Sequence, residues 1–119
     1  MRYMLLIYEP ESIWETMPES QRQAIYGEYM QFTEAIRESG HYIAGDPLDL
    51  TSTATTVRVR DGRLSATDGP FAETREQLGG YYMIRANHLD EALSIAARIP
   101  CARTGCVEVR PVVDMGGLD

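Results

Sequence analysis

The stretch Tyr3 to Tyr8, YMLLIY, limits the possible folds more than any other part of this chain. Read as a strand, it places Tyr3, Leu5 and Ile7 on one face and Met4, Leu6 and Tyr8 on the other. Both sets are largely apolar, so a sheet containing this strand needs cover on both sides.

The rest of the chain supplies part of that cover. Pro18 opens a helix with Glu19 in its first turn, and Ile25, Tyr29, Phe32 and Ile36 recur at helical spacing as its buried stripe. Arg22, Gln31, Glu34 and Glu38 are expected to face water, and Gly40 to end the helix. A short strand is expected over His41 to Ala44, ended by GDP at Gly45 to Pro47. In TTVRVRDGRLSAT, Asp61-Gly62 sits between two extended arms, the signature of a tight β-hairpin. Tyr81 to Ala86 reads as another strand after Gly79-Gly80, which suits a turn. Leu89, Ala92, Leu93, Ala96 and Ile99 mark a second helix, capped by Asn87 and stopped by Pro100. Cys106 to Val113 reads as the last strand, and the tail from about residue 114 to 119 is expected to fray.

The resulting order is a ferredoxin-like βαββαβ arrangement with an added hairpin, an α+β single domain over residues 1–119. Both helices of such a fold cover one sheet face. The second apolar face then calls for a homodimer packed sheet to sheet.

Composition narrows the function. All eleven basic residues are Arg and the net charge is −7, so no basic face is available for nucleic acid. The absence of Lys excludes Schiff-base chemistry and a Lys-centred phosphate loop. No apolar run approaches the ~20 residues of a membrane helix and no signal peptide is evident, so the expected location is cytoplasmic. Cys101 and Cys106 read as free thiols, and no cofactor or metal site is expected.

One segment stands apart, ATDGPFAETREQ, from Ala66 to Gln77. An Asp in a turn usually accepts a bond from the N–H two residues on, but for Asp68 that residue is Pro70, which has none. Its carboxylate must turn to the Phe71 N–H, as cap of a short helix over Pro70 to Leu78, or to a side chain or ligand. Phe71 suits a core plug as well as a ligand contact, and Glu73, Arg75 and Glu76 suit either a solvated face or a cleft. In CVEVRPVV, the alternation sets Val107 and Val109 against Glu108 and Arg110. With the valines under the helices, Glu108 and Arg110 face the inside of the dimer, as an ion pair fixing register or as an anchor for an anionic group.

The run TDGPFAETREQLGGYY, with ATTVRVRDG before it and LDEAL, ARIP and VEVRPV after it, closely resembles the DGPF-domain proteins of the YCII-related family. The resemblance spans nearly the whole chain, from MRYMLLIYEPE to VEVRPV. It implies a ferredoxin-like fold, a dimeric α+β barrel, and a polar cleft enclosed by the dimer that is suspected of enzymatic activity. It also implies a regulatory context beside extracytoplasmic-function sigma factors. The motif falls on Asp68, Gly69, Pro70 and Phe71, its following acid on Glu73, its often-Lys position on Arg75, and its terminal EVRP on Glu108 to Pro111. The broader family's His–Asp pair has no counterpart here, because the helix from Pro18 to Ser39 contains no His, and His41 and His88 lie outside it.

The expected function is a small-molecule-binding protein or enzyme with a polar cleft near the dimer interface, built around the DGPF loop. Asp68 would be the acid–base group, supported by Glu73 and anchored by Arg110, with Phe71, Arg75 and Glu108 in binding roles. Two alternatives stand beside it: a non-catalytic regulatory or interaction module linked to a sigma factor, and a purely structural role for the motif.

Overall fold

A computed structural model describes residues 1–116 of the 119-residue chain. Of the tail expected to fray, residues 117–119 lie outside the described residues. The elements are β1 (Arg2–Glu9), α1 (Ser12–Thr16), α2 (Glu19–Glu38), β2 (Tyr42–Pro47), β3 (Thr55–Arg60), β4 (Arg63–Asp68), β5 (Gln77–Arg85), α3 (Leu89–Ala96) and β6 (Cys106–Pro111).

Four strands form one antiparallel sheet in the order β2-β5-β1-β6, which is ferredoxin-like. The two apolar faces of β1 meet different fates. Tyr3, Leu5 and Ile7 are buried with Tyr82 and Ile84 of β5 beneath Phe32 and Ile36 of α2 and Ala92, Ile95 and Ala96 of α3. Met4, Leu6 and Tyr8 point away from the helices and are half-buried only by their sheet neighbours. Their cross-strand partners include Met83 and Tyr81 on one side and Arg110, Glu108 and Cys106 on the other. The open sheet face is therefore a largely apolar strip with an ion pair along one edge. No helix is long and apolar enough to cross a membrane among the described residues.

The Asp61-Gly62 hairpin forms as its sequence dictates. Asp61 (φ 54°) and Gly62 (φ 74°) both take the left-handed conformation of a tight turn, and β3 pairs with β4 from Thr55↔Asp68 to Arg60↔Arg63. This hairpin is a separate two-stranded sheet. Val57, Val59, Leu64 and Ala66 share one of its faces, and Val57, Val59 and Leu64 are 58–71% exposed. The radius of gyration of 16.4 Å reflects this extended arm, since a compact domain of this length would have about 13.5 Å.

Several boundaries differ from expectation for physical reasons. β2 starts at Tyr42 and runs through Gly45 to Pro47, because Pro47 lies at the strand's end, where its missing N–H costs no ladder bond. Residues 69–76 are irregular rather than helical, and Gln77 already belongs to β5. Gly79-Gly80 lies inside β5: Gly79 is the extra residue of a β-bulge against Ile7 and Tyr8, not a turn. The α3 cap is His88, whose Nδ1 accepts from the Glu91 N–H at 3.2 Å, while Asn87 bonds the Glu91 carboxylate instead. Ile95 takes the place expected for Leu93 in the buried stripe, and Leu89 and Leu93 stay on the surface, since two helical turns leave the stripe's centre ambiguous. The last strand ends at Pro111 rather than Val113.

Two glycines test the packing in opposite directions. A Cβ on Gly105 would sit 2.0 Å from the Tyr8 carbonyl oxygen, so Gly105→Ala must push the turn before β6 away from β1 and is expected to cost about 2–3 kcal/mol. A Cβ on Gly27, inside α2, would meet nothing within 4 Å, so Gly27→Ala is expected to gain about 1 kcal/mol. Urea denaturation of both variants checks the pair; equal effects would contradict the packing described.

Candidate functional site

A cleft of about 680 Å³ lies between α2, the β2 edge of the sheet and the loop after β2. It exists because α2 touches the sheet over only part of its circumference. Phe32 and Ile36 pack inward, while Arg22, Tyr26, Met30, Thr33 and Arg37 recur at helical spacing on the adjoining stripe and line the cleft, with Tyr29 between the two. Arg22 and Glu34, expected to face water, both belong to this lining.

The floor is made unusually bare by glycine. Gly45, Gly79 and Gly80 all line the cleft, and a Cβ on Gly45 would meet the Tyr82 ring at 2.6 Å. The wall is aromatic. Trp14, the sole tryptophan, stacks on Tyr26 with centroids 5.8 Å apart and planes 13° apart. Tyr82 meets Tyr42 edge to face at 6.4 Å, and the Arg37 guanidinium lies 4.7 Å from the Tyr42 ring centre. The five-residue α1, which sequence periodicity is too short to show, is what carries Trp14 to this place.

Hydrogen bonds fix the mouth. Glu9 accepts from the Trp14 indole N–H at 2.9 Å and from the Thr104 hydroxyl at 3.0 Å. Glu11 accepts from both the N–H (2.7 Å) and the hydroxyl (2.9 Å) of Thr51, and its own N–H donates to the Gln77 side chain at 2.9 Å. Three separate segments are thus latched together. Asp49 accepts from the Leu50 N–H at 2.7 Å, while Asp46, with its backbone at the cleft edge, accepts from the Tyr81 hydroxyl at 2.9 Å on the opposite face of the sheet. The arginines differ: neither Arg22 nor Arg37 has a carboxylate partner among the described residues. Arg22 donates to the Met17 carbonyl at 3.2 Å, and its buried Nε has no acceptor. A buried donor left in this state costs roughly 1–3 kcal/mol.

Two phenols of the lining, and a thiol packed behind them, are held protonated. Burial holds the Tyr29 phenol protonated well above its usual range, reinforced by the neighbouring Cys101. Burial also pushes the Cys101 thiol up to about 11, so at neutral pH it is a thiol rather than a nucleophilic thiolate. Tyr82, whose phenol is raised by burial, shares a 2.7 Å hydrogen bond with Thr33.

The residues singled out by sequence lie elsewhere. None of Asp68, Phe71, Glu73, Arg75, Glu108 and Arg110 lines the cleft. Asp68 ends β4 opposite Thr55, and its carboxylate meets neither the Phe71 N–H nor another donor among the described residues. Gly69 (φ 98°) closes the base of the hairpin instead, with its N–H on the Ala54 carbonyl at 2.7 Å and its carbonyl on the Thr56 hydroxyl at 2.8 Å. Phe71 is 82% exposed, and Glu73 and Arg75 are exposed beside it. Arg110 pairs with Glu108 on the open sheet face, opposite Met4 and Leu6.

The two histidines also have structural work. Ser39 Oγ lies 2.6 Å from His41 Nδ1, and His41 Nε2 3.1 Å from Glu91 Oε1, an order that resembles a hydrolytic triad. However, the Ser39 hydroxyl donates to the Ile36 carbonyl, and the N–H groups of Ser39, Gly40 and His41 all bond helix carbonyls, so none of these three is free to hold an oxyanion. The set clamps the end of α2 to the start of α3. Glu91 is held below its usual range first by the Asn87 N–H and then by His41.

The chain matches the model of the YCII-related domain over residues 1–116. It is also 35% identical over 114 residues to an uncharacterized protein of Rhizobium meliloti (strain 1021), covering 94% of this chain and 92% of that protein. The chain belongs to the YCII-related family. This YCII-related domain thus has two distinct features: a latched aromatic cleft under α2, and a motif loop at the base of an exposed hairpin.

Cys101, in the core behind Tyr29, gives the fold a pH signature. Its folded-state value is raised from 9.0 to about 11, so its stabilising effect is complete below pH 9 and is lost as pH climbs from about 9 to 11. Melting temperature should fall over that interval, and Cys101→Ala should flatten the fall. An unchanged slope in the variant would contradict burial as the cause.

Proposed function

We propose that this YCII-related protein binds a small organic molecule in the cleft beneath α2. The observation that carries the reading is the cleft itself: about 680 Å³, aromatic-walled, with a hydrogen-bonded mouth and guanidinium donors that lack carboxylate acceptors. Its size and its aromatic wall with converging polar groups are those of small-molecule sites. A screen of metabolites by thermal shift, followed by Trp14 emission, tests it. A true ligand changes Trp14 emission and loses about tenfold or more in affinity in Tyr26→Ala or Met30→Ala. Both side chains are substantially exposed, at 48% and 73%, so these variants should fold normally. Affinity should be unaffected in Asp68→Asn. Loss in Asp68→Asn with none in the Tyr26 and Met30 variants would move the site to the motif loop.

The motif loop and the Glu108–Arg110 pair belong, in this proposal, to a homodimer interface. Two copies packed sheet to sheet would cover Met4, Leu6, Tyr8, Tyr81 and Met83, and would give the hairpin's apolar face a surface to rest on. An isolated two-stranded hairpin is marginal in water, which supports such a contact. Sedimentation should give about twice the 13.4 kDa chain mass at micromolar concentration; a monomer would overturn the interface.

A further inference from the structure

We infer that the ligand of the cleft is a planar organic anion, an aromatic or conjugated carboxylate, whose acidic group is held by Arg22. This rests on the cleft being the binding site. The lining is acidic by count, so a cationic ligand would be the first guess from composition. Hydrogen bonding reverses that guess. Four of the five lining carboxylates, Glu9, Glu11, Asp46 and Asp49, already accept bonds from Trp14, Thr104, Thr51, Tyr81 and Leu50, and the fifth, Glu34, is exposed on the outer side of α2.

The unmet capacity is that of donors. A guanidinium carries five N–H groups in a rigid fork. Among the described residues Arg22 has one bond, from Nη2 to the Met17 carbonyl, which fixes the side chain without neutralising it. Its Nε is enclosed by protein, so the edge that a ligand can reach is the one carrying the remaining Nη1 and Nη2 N–H groups. A carboxylate is the group whose two oxygens match that fork. Arg37 is committed to the Tyr42 ring and sits fifteen residues further along α2, about 22 Å of helix rise away. The two arginines therefore do not hold one acidic group together, and Arg22 is the better prepared.

The body of the ligand follows from what stands beside Arg22. Tyr26 is one turn along the same helix, and its ring stacks nearly parallel with Trp14. That pair offers a flat aromatic surface within one turn of the guanidinium, suited to a ring by offset stacking.

Isothermal titration calorimetry with four probes tests this: 2-naphthoate, its neutral counterpart 2-naphthalenemethanol, the cation 2-naphthylmethylammonium, and the saturated trans-decalin-2-carboxylate. The expected result is that 2-naphthoate binds about tenfold or more tightly than each of the others, the scale of a charge-assisted bidentate contact. Arg22→Gln should abolish the preference for naphthoate over the alcohol while leaving the alcohol's affinity within about threefold. Arg22→Lys, which keeps charge but not the fork, should retain only part of it. Arg37→Gln should keep most of the preference. Tightest binding of the ammonium, equal binding of the decalin acid, or a preference that survives Arg22→Gln would overturn this inference and leave the cleft as a binding site. Binding of none of the four at millimolar concentration would overturn both. Near-ultraviolet circular dichroism of each variant confirms native packing, and the wild-type ranking stands as a test by itself.

Discussion

β1 is apolar on both faces, and the chain supplies cover for only one of them. The helices bury Tyr3, Leu5 and Ile7 and leave Met4, Leu6 and Tyr8 against solvent and a few sheet neighbours. A four-stranded sheet is also wider than α2 and α3 can cover. The uncovered margin along β2, bounded by α1 and the loop after β2, becomes the cleft. Uneven cover thus produces both the proposed binding site and the proposed contact between copies, on opposite sides of one sheet.

That arrangement assigns different work to the two halves of the molecule. On the helix side, Glu9, Glu11, Thr51 and Gln77 join segments far apart in sequence around the mouth, so the cleft is shaped before any ligand enters. On the hairpin side, the conspicuous motif serves geometry. Pro70 denies Asp68 its usual turn partner, and Gly69 takes over by bonding Ala54 and Thr56 across the hairpin base. The same loop then delivers the chain to Gln77 and the Gly79 bulge, which are part of the cleft's mouth and floor. The motif shapes the site through the strand that follows it rather than by lining it.

Much of the fold was legible in the sequence because its signals are local. The Asp61-Gly62 turn, the Phe32 and Ile36 stripe and the alternation of β1 and β6 each specify their own element. The cleft was not, because it is assembled from α1, α2, β2, β5 and a loop, and only the tertiary fold brings these together. A trace of it did exist: Tyr26 and Met30 are large apolar residues on the side of α2 that core packing does not use, and Arg22 and Arg37 share their spacing. The DGPF run attracted the functional reading because its residue types are unusual. Unusual types are also what a hairpin base with a left-handed residue at Gly69 requires.

Two-dimensional amide NMR during titration with a ligand from the screen tests the placement of the site most directly. The account predicts shifts concentrated on the Trp14 indole N–H, the Gly45, Gly79 and Gly80 amides and the Arg22 to Arg37 face of α2, with Gly69 to Glu76 little changed. Shifts centred on Gly69, Phe71 and the amides of Glu108 and Arg110, with a silent Trp14, would contradict it.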